Sequence, residues 1–444
     1  MKFLKKSNVI VIGGGLAGVE AANQITNFDI NVTLFEMKPV MYSGAHKSEK
    51  LGELVCSNSL KSNSIENASG ILKEEMRTLN SFVIEAADNT AVPAGKALAV
   101  DRNLFSEYLT EKIEQNRRIE LVREEFLEIE NNALNIVASG PLTSDKLIKN
   151  IMNLTDQKNL YFYDSISPIL NADSIDYTKV FRASRYENDS GNGGGDYINC
   201  PLNKDEYYKL VNEIMNAEKI ELHEFENTGY FESCMPVEVI CERGKETLRF
   251  GPMKPVGLLN PKTNQTPYAV VQLRMENNSA TMYNIVGFQT KLTYPEQRRV
   301  FRMIPGLENA EFFRYGSIHR NTYIRSPELL NEFLQLKNIP YIFFAGQITG
   351  VEGYVESAAT GIIAGINAAR KILNKELTPV PRESSIGSLI SYITGFTGKN
   401  FQPININFGI YPETGQKLKR DKKRELIANT ALESISKYKT NIYE

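Results

Sequence analysis

Two cysteines occupy positions where a thiol could take part in covalent chemistry. Cys56 follows an apolar run and precedes Ser57-Asn58-Ser59, whereas Cys234 lies just before Met235-Pro236, which predicts a helix with proline in its first turn. Backbone N–H groups at a helix N-terminus favour the thiolate form, so both positions predict a reactive thiol. Because free cysteines are more often small buried apolar groups, a structural role is the alternative for each.

The remaining cysteines and the histidines give little sign of a metal centre. Cys200 precedes a proline in a predicted turn and Cys241 lies among apolar residues, so both are expected to be structural. His46, His223 and His319 are widely separated in sequence, whereas metal ligands normally cluster. With four cysteines in 444 residues and no close pair, the chain predicts neither a zinc site nor a disulfide framework. We therefore expect a reduced, cytoplasmic protein without a bound metal.

A glycine-rich motif near the start of the chain predicts a dinucleotide-binding site. It comprises Gly13, Gly14, Gly15, Leu16, Ala17 and Gly18. The first glycine of the G-x-G-x-x-G pattern permits a tight turn, the second lets a pyrophosphate approach the backbone, and the third lets helix and strand pack closely. Glu36 follows Gly18 by 18 residues, at the end of the next predicted strand, where a carboxylate can bind ribose hydroxyls. An incidental glycine turn is the alternative.

A second junction between a strand and a glycine turn lies far along the chain. It contains Gly346, Gln347 and Gly350, and a long helix rich in alanine and glycine follows it. The N-terminus of that helix can point at an anionic group such as a reduced flavin ring. A cofactor held by both ends of the chain fits the length of FAD better than that of a nicotinamide nucleotide. Close helix packing in an α/β sheet is the alternative.

The apolar pattern predicts the elements that must position these residues. Predicted strands lie at residues 8–12, 31–35, 119–122, 135–138 and 341–345, and predicted helices at 16–27, 103–116 and 354–373. From residue 161 onward, short aromatic and β-branched runs alternate with glycine, asparagine and proline turns, as in a mixed α/β region. We predict an α/β fold in which a Rossmann-like domain, residues 1–160 and 335–444, is interrupted by an inserted mixed α/β domain, residues 161–334.

Charge offers no general signal for a nucleic-acid partner. The formal net charge is −2, so any RNA contact must come from local basic patches. The densest patch covers residues 417–424, and Arg298, Arg299 and Arg302 share one predicted helix face. For each patch the two alternative interpretations are a solvated helix face and a contact with RNA phosphates. No stretch is apolar enough to span a bilayer, so no membrane partner is expected.

Six segments of the chain together resemble one family, the methylenetetrahydrofolate-tRNA-(uracil-5-)-methyltransferases. They are residues 55–61, 234–238, 247–257, 284–290, 319–322 and 350–356. The segments are long and specific, and the resemblance extends over nearly the whole chain. It implies a glutathione-reductase-like FAD-binding domain and an enzyme that forms 5-methyluridine in structured RNA. Methylenetetrahydrofolate is the implied carbon donor, and NAD(P)H is the implied reductant of the flavin.

The resemblance also implies roles for individual side chains. A thiolate that adds to C6 of uracil makes C5 nucleophilic, and a second group must then remove the C5 proton. The two family cysteines fall on Cys234, which we assign as the nucleophile, and on Cys56, which we assign as the proton acceptor. Exchanged roles are the alternative. His319 matches a family histidine expected to stack on the folate pteridine opposite the flavin, with His46 as the second candidate.

Several alternatives stay open at the level of the sequence. The expected target is the tRNA T-loop uridine, and a uridine of 23S ribosomal RNA is the alternative. A flavin oxidoreductase acting on a small metabolite and an RNA-binding partner without chemistry of its own are further hypotheses. Lys96 stands where the family usually has a second glycine, and the loop at residues 188–196 is longer than usual. The oligomeric state is left open.

Overall fold

The structure is a computed structural model that describes residues 9–129, 133–156, 160–185, 195–220, 235–398, 401–413, 415 and 418–443, without the side chains of residues 160–164, 319 and 320. The strands in chain order are β1 (Val9–Ile12), β2 (Val32–Phe35), β3 (Ser59–Ser62), β4 (Ala91–Val92), β5 (Ala97–Val100), β6 (Ile119–Val122), β7 (Leu134–Val137), β8 (Leu160–Ser165), β9 (Ile169–Asn171), β10 (Phe181–Arg182), β11 (Tyr197–Leu202), β12 (Ala269–Met275), β13 (Met282–Ile285), β14 (Phe312–Arg314), β15 (Ile318–Tyr323) and β16 (Ile342–Phe344). The helices are α1 (Leu16–Thr26), α2 (Ala68–Thr78), α3 (Phe82–Asn89), α4 (Arg102–Gln115), α5 (Asp145–Thr155), α6 (Lys204–Asn216), α7 (Val237–Glu242), α8 (Thr247–Phe250), α9 (Tyr294–Phe301), α10 (Ser326–Leu329), α11 (Tyr354–Ile372), α12 (Ser385–Gly395) and α13 (Arg420–Tyr443).

A parallel sheet with the strand order β16-β7-β1-β2-β6 forms the centre of the first unit. Its strands β1 and β7 are buried throughout, which explains their continuous apolar sequences. All five strands run in the same direction, so their carboxyl ends meet at one edge. The predicted α/β fold with a Rossmann-like β-α-β start is thus confirmed, and the predicted strands and helices of this unit lie within two residues of the observed ones.

Helices α1 and α11 pack against each other unusually closely, although they come from opposite ends of the chain. A methyl group at Gly361 would overlap the carbonyl oxygen of Ala17, and one at Gly365 would lie 2.7 Å from the carbonyl oxygen of Ala21. Only glycine permits this approach. The glycines of α11 therefore fix the second chain segment against the first.

An antiparallel sheet with the order β10-β11-β12-β13-β9-β14 forms the second unit, which we call the inserted unit. Its hydrophobic core is built from residues between 170 and 310, whereas the core of the first unit joins residues from 9–151 with residues from 323–442. This distribution agrees with an insertion, and the proposed boundaries at residues 161 and 335 remain a prediction. The antiparallel pair of β8 and β15 carries the chain out of the first unit and back.

Asn58 joins the two units beside the small sheet β3-β5-β4. Its side-chain amide donates to the carbonyl oxygens of Val100 (2.9 Å) and Met275 (2.8 Å), and its oxygen accepts from Nε of Arg274 (2.9 Å). Asn58 is fully buried, so these bonds replace the water it would otherwise bind. The chain segment around Cys56 is thereby tied to β12 of the inserted unit.

Candidate functional site

The glycine motif has the geometry of a dinucleotide cradle. Gly13 has φ +109°, and a methyl group on it would lie 2.6 Å from the carbonyl oxygen of Ala138. A methyl on Gly18 would overlap the carbonyl oxygen of Gly13, so the third glycine serves the close packing of α1 on β1. Gly15 differs, because a methyl there would meet no atom within 4 Å. The backbone at Gly15 therefore faces open space at the N-terminus of α1, where a pyrophosphate fits.

Glu36 is held in place at the end of β2. Its two carboxylate oxygens accept hydrogen bonds from the backbone nitrogens of Gly14 (2.9 Å) and Lys38 (3.0 Å). A carboxylate oxygen has two acceptor positions, so each one keeps capacity for a ribose hydroxyl. These bonds orient the carboxylate toward the glycine turn, which fits the role predicted for Glu36.

A cavity of about 1060 Å³, here called the first cavity, extends along the carboxyl edge of the parallel sheet. Both ends of the chain line it: residues 13–17 and Glu36 on one side, and Gly346, Gln347 and Ser357 on the other. Its lining fits an FAD molecule held at the N-termini of α1 and α11. Gly350 is not among the residues that line this cavity; it has φ +86° and lies against the ring of Phe401, and its contact with the cofactor stays a prediction.

A second cavity of about 1080 Å³ adjoins the first. The two cavities share the lining residues Val55, Pro141, Leu142, Gln347 and Tyr354. The second cavity is also lined by Cys56 and by side chains from both units, including Ile166, Gln289 and Asn321. A planar cofactor ring and a second substrate can therefore meet at the shared wall.

Cys56 lines the second cavity next to the shared residue Val55, but its surroundings differ from the predicted helix N-terminus. It is part of a loop that leads into strand β3. Its backbone N–H donates to the hydroxyl of Tyr354 at 2.7 Å, and its sulfur lies 3.8 Å from the carbonyl oxygen of Ser165. The serines that suggested a helix cap form a local turn instead, with Ser57 Oγ accepting from the N–H of Ser59 at 3.1 Å. The expectation of a helix at Cys56 is wrong.

Arginine side chains supply positive charge around Cys56. Arg102 donates to the carbonyl oxygen of Leu54 and pairs with Glu276, and Arg314 donates to the carbonyl oxygen of Ala45. Arg274 also donates to Ser57 Oγ at 2.6 Å, and burial lowers the pKa of Arg274 and Arg314 below the ordinary arginine value. These guanidinium groups hold the loop around Cys56 from behind and are not among the residues that line the second cavity.

An ion pair forms another part of the second cavity wall. Lys61 Nζ lies 2.8 Å from Glu356 Oε1, which also accepts from the backbone nitrogen of Ile406 at 3.1 Å. Glu356 is fully buried, and its other oxygen has no hydrogen-bond partner among the described residues. Lys61 itself has φ +64°, a conformation that costs energy for a residue with a side chain. The pair thus places a strained, charged group five residues from Cys56.

The remaining candidate residues are the three histidines and Cys234. His46 lines the first cavity, with its Nδ1 2.7 Å from Ser43 Oγ. His319 is in β15, where it pairs with Asp164, but its side chain is not among those described. Cys234 and His223 lie outside the described residues altogether. A role for Cys234 therefore stays a prediction.

The two cysteines that were expected to be structural are buried. Cys200 is fully enclosed in β11, and Cys241 lies in α7, where burial raises the pKa of its thiol to about 12. Among the residues that the structure describes, no group of three histidine, cysteine or acidic side chains could hold a metal ion. The helices of the same described part include none with the length and apolar character that crossing a bilayer requires.

The two basic patches differ in how much of their charge is engaged. Arg299 pairs with Glu213 and Glu296, whereas Arg298 and Arg302 donate to neutral oxygens. In the second patch, Lys417 is outside the described residues, α13 begins at Arg420, and Arg424 lies 4.8 Å above the ring of Phe408.

The two departures from the family pattern are Lys96 and the loop at residues 188–196. Lys96 is exposed in the turn between β4 and β5, with its Nζ 3.7 Å from Glu66 Oε2, and it lines neither cavity. Most of the loop at 188–196 lies outside the described residues.

Sequence reasoning missed several residues of the site. Tyr354 and Glu356 lie within segment 350–356 and Lys61 within segment 55–61, so those quoted motifs contained the signal. The arginines at 102, 274 and 314 come from three separate segments, and no local pattern marks them.

Comparisons with known proteins extend these observations. The family model described as glucose inhibited division protein A matches residues 8–376. A Syntrophus aciditrophicus protein named methylenetetrahydrofolate--tRNA-(uracil-5-)-methyltransferase TrmFO is 54% identical over 436 residues, 98% of this chain and 98% of the relative. A Citrifermentans bemidjiense protein of the same name is 56% identical over 431 residues, 97% of this chain and 98% of the relative. The solved structure of Aquifex aeolicus GidA has the same fold, with a TM-score of 0.73 at 19% identity over 100% of this chain and 74% of that chain.

Proposed function

Since the chain belongs to the methylenetetrahydrofolate--tRNA-(uracil-5-)-methyltransferase family, within the glucose inhibited division protein A group, we propose that it forms 5-methyluridine in tRNA. Methylenetetrahydrofolate is the carbon donor, FAD is the cofactor and NAD(P)H is the reductant. The observation that carries this function is the placement of Cys56. Cys56 lines a cavity that shares part of its wall with the cavity along the dinucleotide cradle.

The reaction needs a nucleophile, a proton acceptor and a source of electrons. A thiolate adds to C6 of the uracil ring, and the electrons displaced onto O4 make C5 able to attack an electrophilic carbon. A base then removes the C5 proton and the thiol is expelled. FAD would be held along Gly15 and Glu36 and, once reduced by NAD(P)H, would supply the two electrons that convert a methylene group into a methyl group.

We assign Cys234 as the nucleophile and Cys56 as the proton acceptor. Support for Cys234 comes from its neighbours, because Val237 donates a backbone hydrogen bond of 2.7 Å to Gln289, which lines the second cavity. Cys56 is supported by its own position in the wall.

The pteridine of the folate is proposed to stack on His319, with His46 as the second candidate. Asn321, two residues along β15 from His319, lines the second cavity, and this supports the first assignment. His46 lines the first cavity, which would place a stacked ring closer to the dinucleotide. Alanine replacement of each histidine distinguishes the two assignments. Only the variant that lacks the stacking histidine should lose folate binding, because that ring supplies the planar face.

The names of the relatives specify tRNA, which favours tRNA over 23S ribosomal RNA and over a small metabolite. Within tRNA, the T-loop uridine is our proposed target. A tRNA substrate also supports action in the cytoplasm, where tRNA is processed.

The decisive experiment combines purified FAD-loaded protein with labelled methylenetetrahydrofolate, NAD(P)H and separate transcripts of tRNA and 23S ribosomal RNA. Labelled 5-methyluridine mapped to tRNA is the expected result, and its absence from both RNAs would reject the function. The cysteine roles are separated on a denaturing gel. Cys234→Ala should form no covalent complex with RNA, whereas Cys56→Ala should accumulate one; the reverse pattern would exchange the two roles.

A further inference from the structure

Three stacked aromatic rings, here called the aromatic column, stand on the surface of the inserted unit. Tyr315 is at the centre, with its ring centroid 5.0 Å from Phe312 and 4.8 Å from Tyr294, at interplanar angles of 14° and 19°. Phe312 packs against the core of the inserted unit, whereas Tyr294 is 53% exposed. The column therefore has one anchored end and one end open to solvent.

Hydrogen bonds fix the column in place. Gln297 of α9 donates to the carbonyl oxygen of Gly316 (2.9 Å) and accepts from its N–H (2.7 Å). Arg298 donates two bonds, of 3.1 and 2.7 Å, to the hydroxyl of Tyr315. Helix α9 is thus locked to the segment that follows β14. A ligand that stacks on Tyr294 would pay little to order the surface it meets.

Positive charge lies beside the open end. Arg298 is exposed and lies one helical turn after Tyr294 on the same face of α9. The bonds of Arg298 to the Tyr315 hydroxyl, and of Arg302 to the carbonyl oxygen of Ala310, are made to neutral acceptors. These bonds do not neutralise the guanidinium charges, which therefore remain able to attract phosphate.

The column is also next to the second cavity. Arg314, which precedes Tyr315, donates to the carbonyl oxygen of Ala45 at 3.4 Å. A methyl group on Gly316, which follows Tyr315, would lie 2.6 Å from the carbonyl oxygen of Ile166. Ala45 and Ile166 both line the second cavity. The residues on either side of the central ring therefore touch the wall of the site where the target base must enter.

We infer that the exposed face of Tyr294 stacks on an unpaired base of the RNA substrate next to the target uridine, while Arg298 and Arg302 meet the phosphate backbone. This inference rests on the proposed function. An enzyme that takes one base out of its stack leaves the neighbouring base without a partner, and an aromatic ring replaces that partner at any sequence. The combination of an aromatic ring and free guanidinium charge matches RNA better than it matches an apolar protein surface.

The test measures the affinity of FAD-loaded protein for an unmodified tRNA transcript by fluorescence anisotropy, together with the kinetics of methylation. Tyr294→Ala should weaken binding about tenfold, the size expected for one stacked base. Tyr294→Phe should restore wild-type affinity. For Tyr294→Ala the KM for tRNA should rise while kcat at saturating tRNA stays unchanged, because the column binds RNA outside the reacting atoms.

Tyr341 provides a matched control. It is 54% exposed, has Lys371 Nζ 4.9 Å from its ring centroid, and precedes β16 at the amino edge of the parallel sheet, opposite the cavities. Tyr341→Ala should bind tRNA like the wild type. Arg302→Gln tests the charge separately, because Arg302 donates to the carbonyl oxygen of Ala310 and not to the column, and loss of one phosphate contact should lower the slope of log Kd against log salt by about one. Equal melting temperatures and flavin spectra establish that the variants are folded.

The outcomes distinguish this inference from the proposed function. If the wild type methylates tRNA while Tyr294→Ala binds it with unchanged affinity, the aromatic column is not an RNA contact. If sedimentation shows that Tyr294→Ala alters the oligomeric state without changing tRNA affinity, the column contacts a second copy and the inference is overturned. A wild type that binds tRNA through Tyr294 but never methylates it would reject the proposed function and leave the RNA contact standing.

Discussion

The hydroxyl of Tyr354 accepts a hydrogen bond of 2.7 Å from the backbone N–H of Cys56, across 298 positions of the chain. Tyr354 is the first residue of α11, and its hydroxyl also accepts from the N–H of Ser57 at 3.3 Å. Burial raises the pKa of this phenol well above its ordinary value, so the group remains a neutral hydroxyl. The helix that closes the cofactor cavity therefore also holds the reactive loop.

Replacing Tyr354 by phenylalanine should slow methylation without loss of FAD. The change leaves the N–H of Cys56 without its acceptor, at a cost of about 1–3 kcal/mol, and allows the loop to shift. We expect a rate at least about tenfold lower, because small displacements of a reacting group are costly. Single-turnover methylation measures the effect. Tyr392→Phe is the control, since its hydroxyl bonds only the carbonyl oxygen of Gln402 within the described structure; equal rates in the two variants would contradict the prediction.

Replacing Cys56 by alanine should abolish activity, whereas replacing Cys200 by alanine should only lower stability. Cys56→Ala should retain FAD and lose 5-methyluridine formation, since a methyl group can neither attack C6 nor accept a proton. Cys200→Ala should keep the activity and lose about 1 kcal/mol of stability, because it removes one buried sulfur from the core. Nucleoside analysis and urea unfolding provide the two measurements. An active Cys56→Ala enzyme would rule out either catalytic role for this thiol.

Alanine at Gly18 should affect stability, whereas alanine at Gly15 should affect FAD binding. In Gly18→Ala the new methyl overlaps the carbonyl oxygen of Gly13, so we expect a large loss of stability even without FAD. In Gly15→Ala the methyl meets nothing in the protein but fills the space assigned to the pyrophosphate. This variant should melt like the wild-type apoprotein and bind FAD at least about tenfold more weakly. Thermal melting of the apoproteins and flavin titration test the two variants. Tight FAD binding by Gly15→Ala would show that the pyrophosphate does not bind at this turn.

Lys73 predicts a pH dependence of stability. It is fully buried, donates to the carbonyl oxygens of Leu60 (2.9 Å) and Ser69 (2.8 Å), and burial lowers its pKa from 10.5 to about 7. Between these two values the unfolded chain binds more protons than the folded one, so this residue makes the free energy of unfolding rise with pH. The slope is at most about 1.4 kcal/mol per pH unit.

Lys73→Met should lose this slope, whereas the exposed Lys112→Met should keep it. Urea unfolding between about pH 7 and about pH 9 provides the comparison, because that interval lies inside the window set by the two pKa values. If the free energy of unfolding depended on pH in the same way for the wild type and Lys73→Met, the ammonium group of Lys73 would stay protonated in the folded protein.

The sequence was sufficient for the elements whose pattern is local. Strands β1 and β2, helix α1 and the glycine cradle follow from apolar runs and glycine spacing within about thirty residues. The helix expected at Cys56 was wrong because Ser57 and Ser59 use their hydroxyls in a turn, and Arg274 of a distant strand completes it. The arginine cluster and the contact between Cys56 and Tyr354 depend on tertiary placement, which no spacing along the chain reveals.

The close fit between α1 and α11 has a consequence for how the protein is made. On the ribosome, the glycine turn emerges before the wall formed by Gly346 and Ser357, which is synthesised more than 300 residues later. The inserted unit has its own core and can fold in the meantime, whereas the first sheet waits with an uncovered apolar face. The complete flavin site therefore forms only after the segment through Ser357 has left the ribosome.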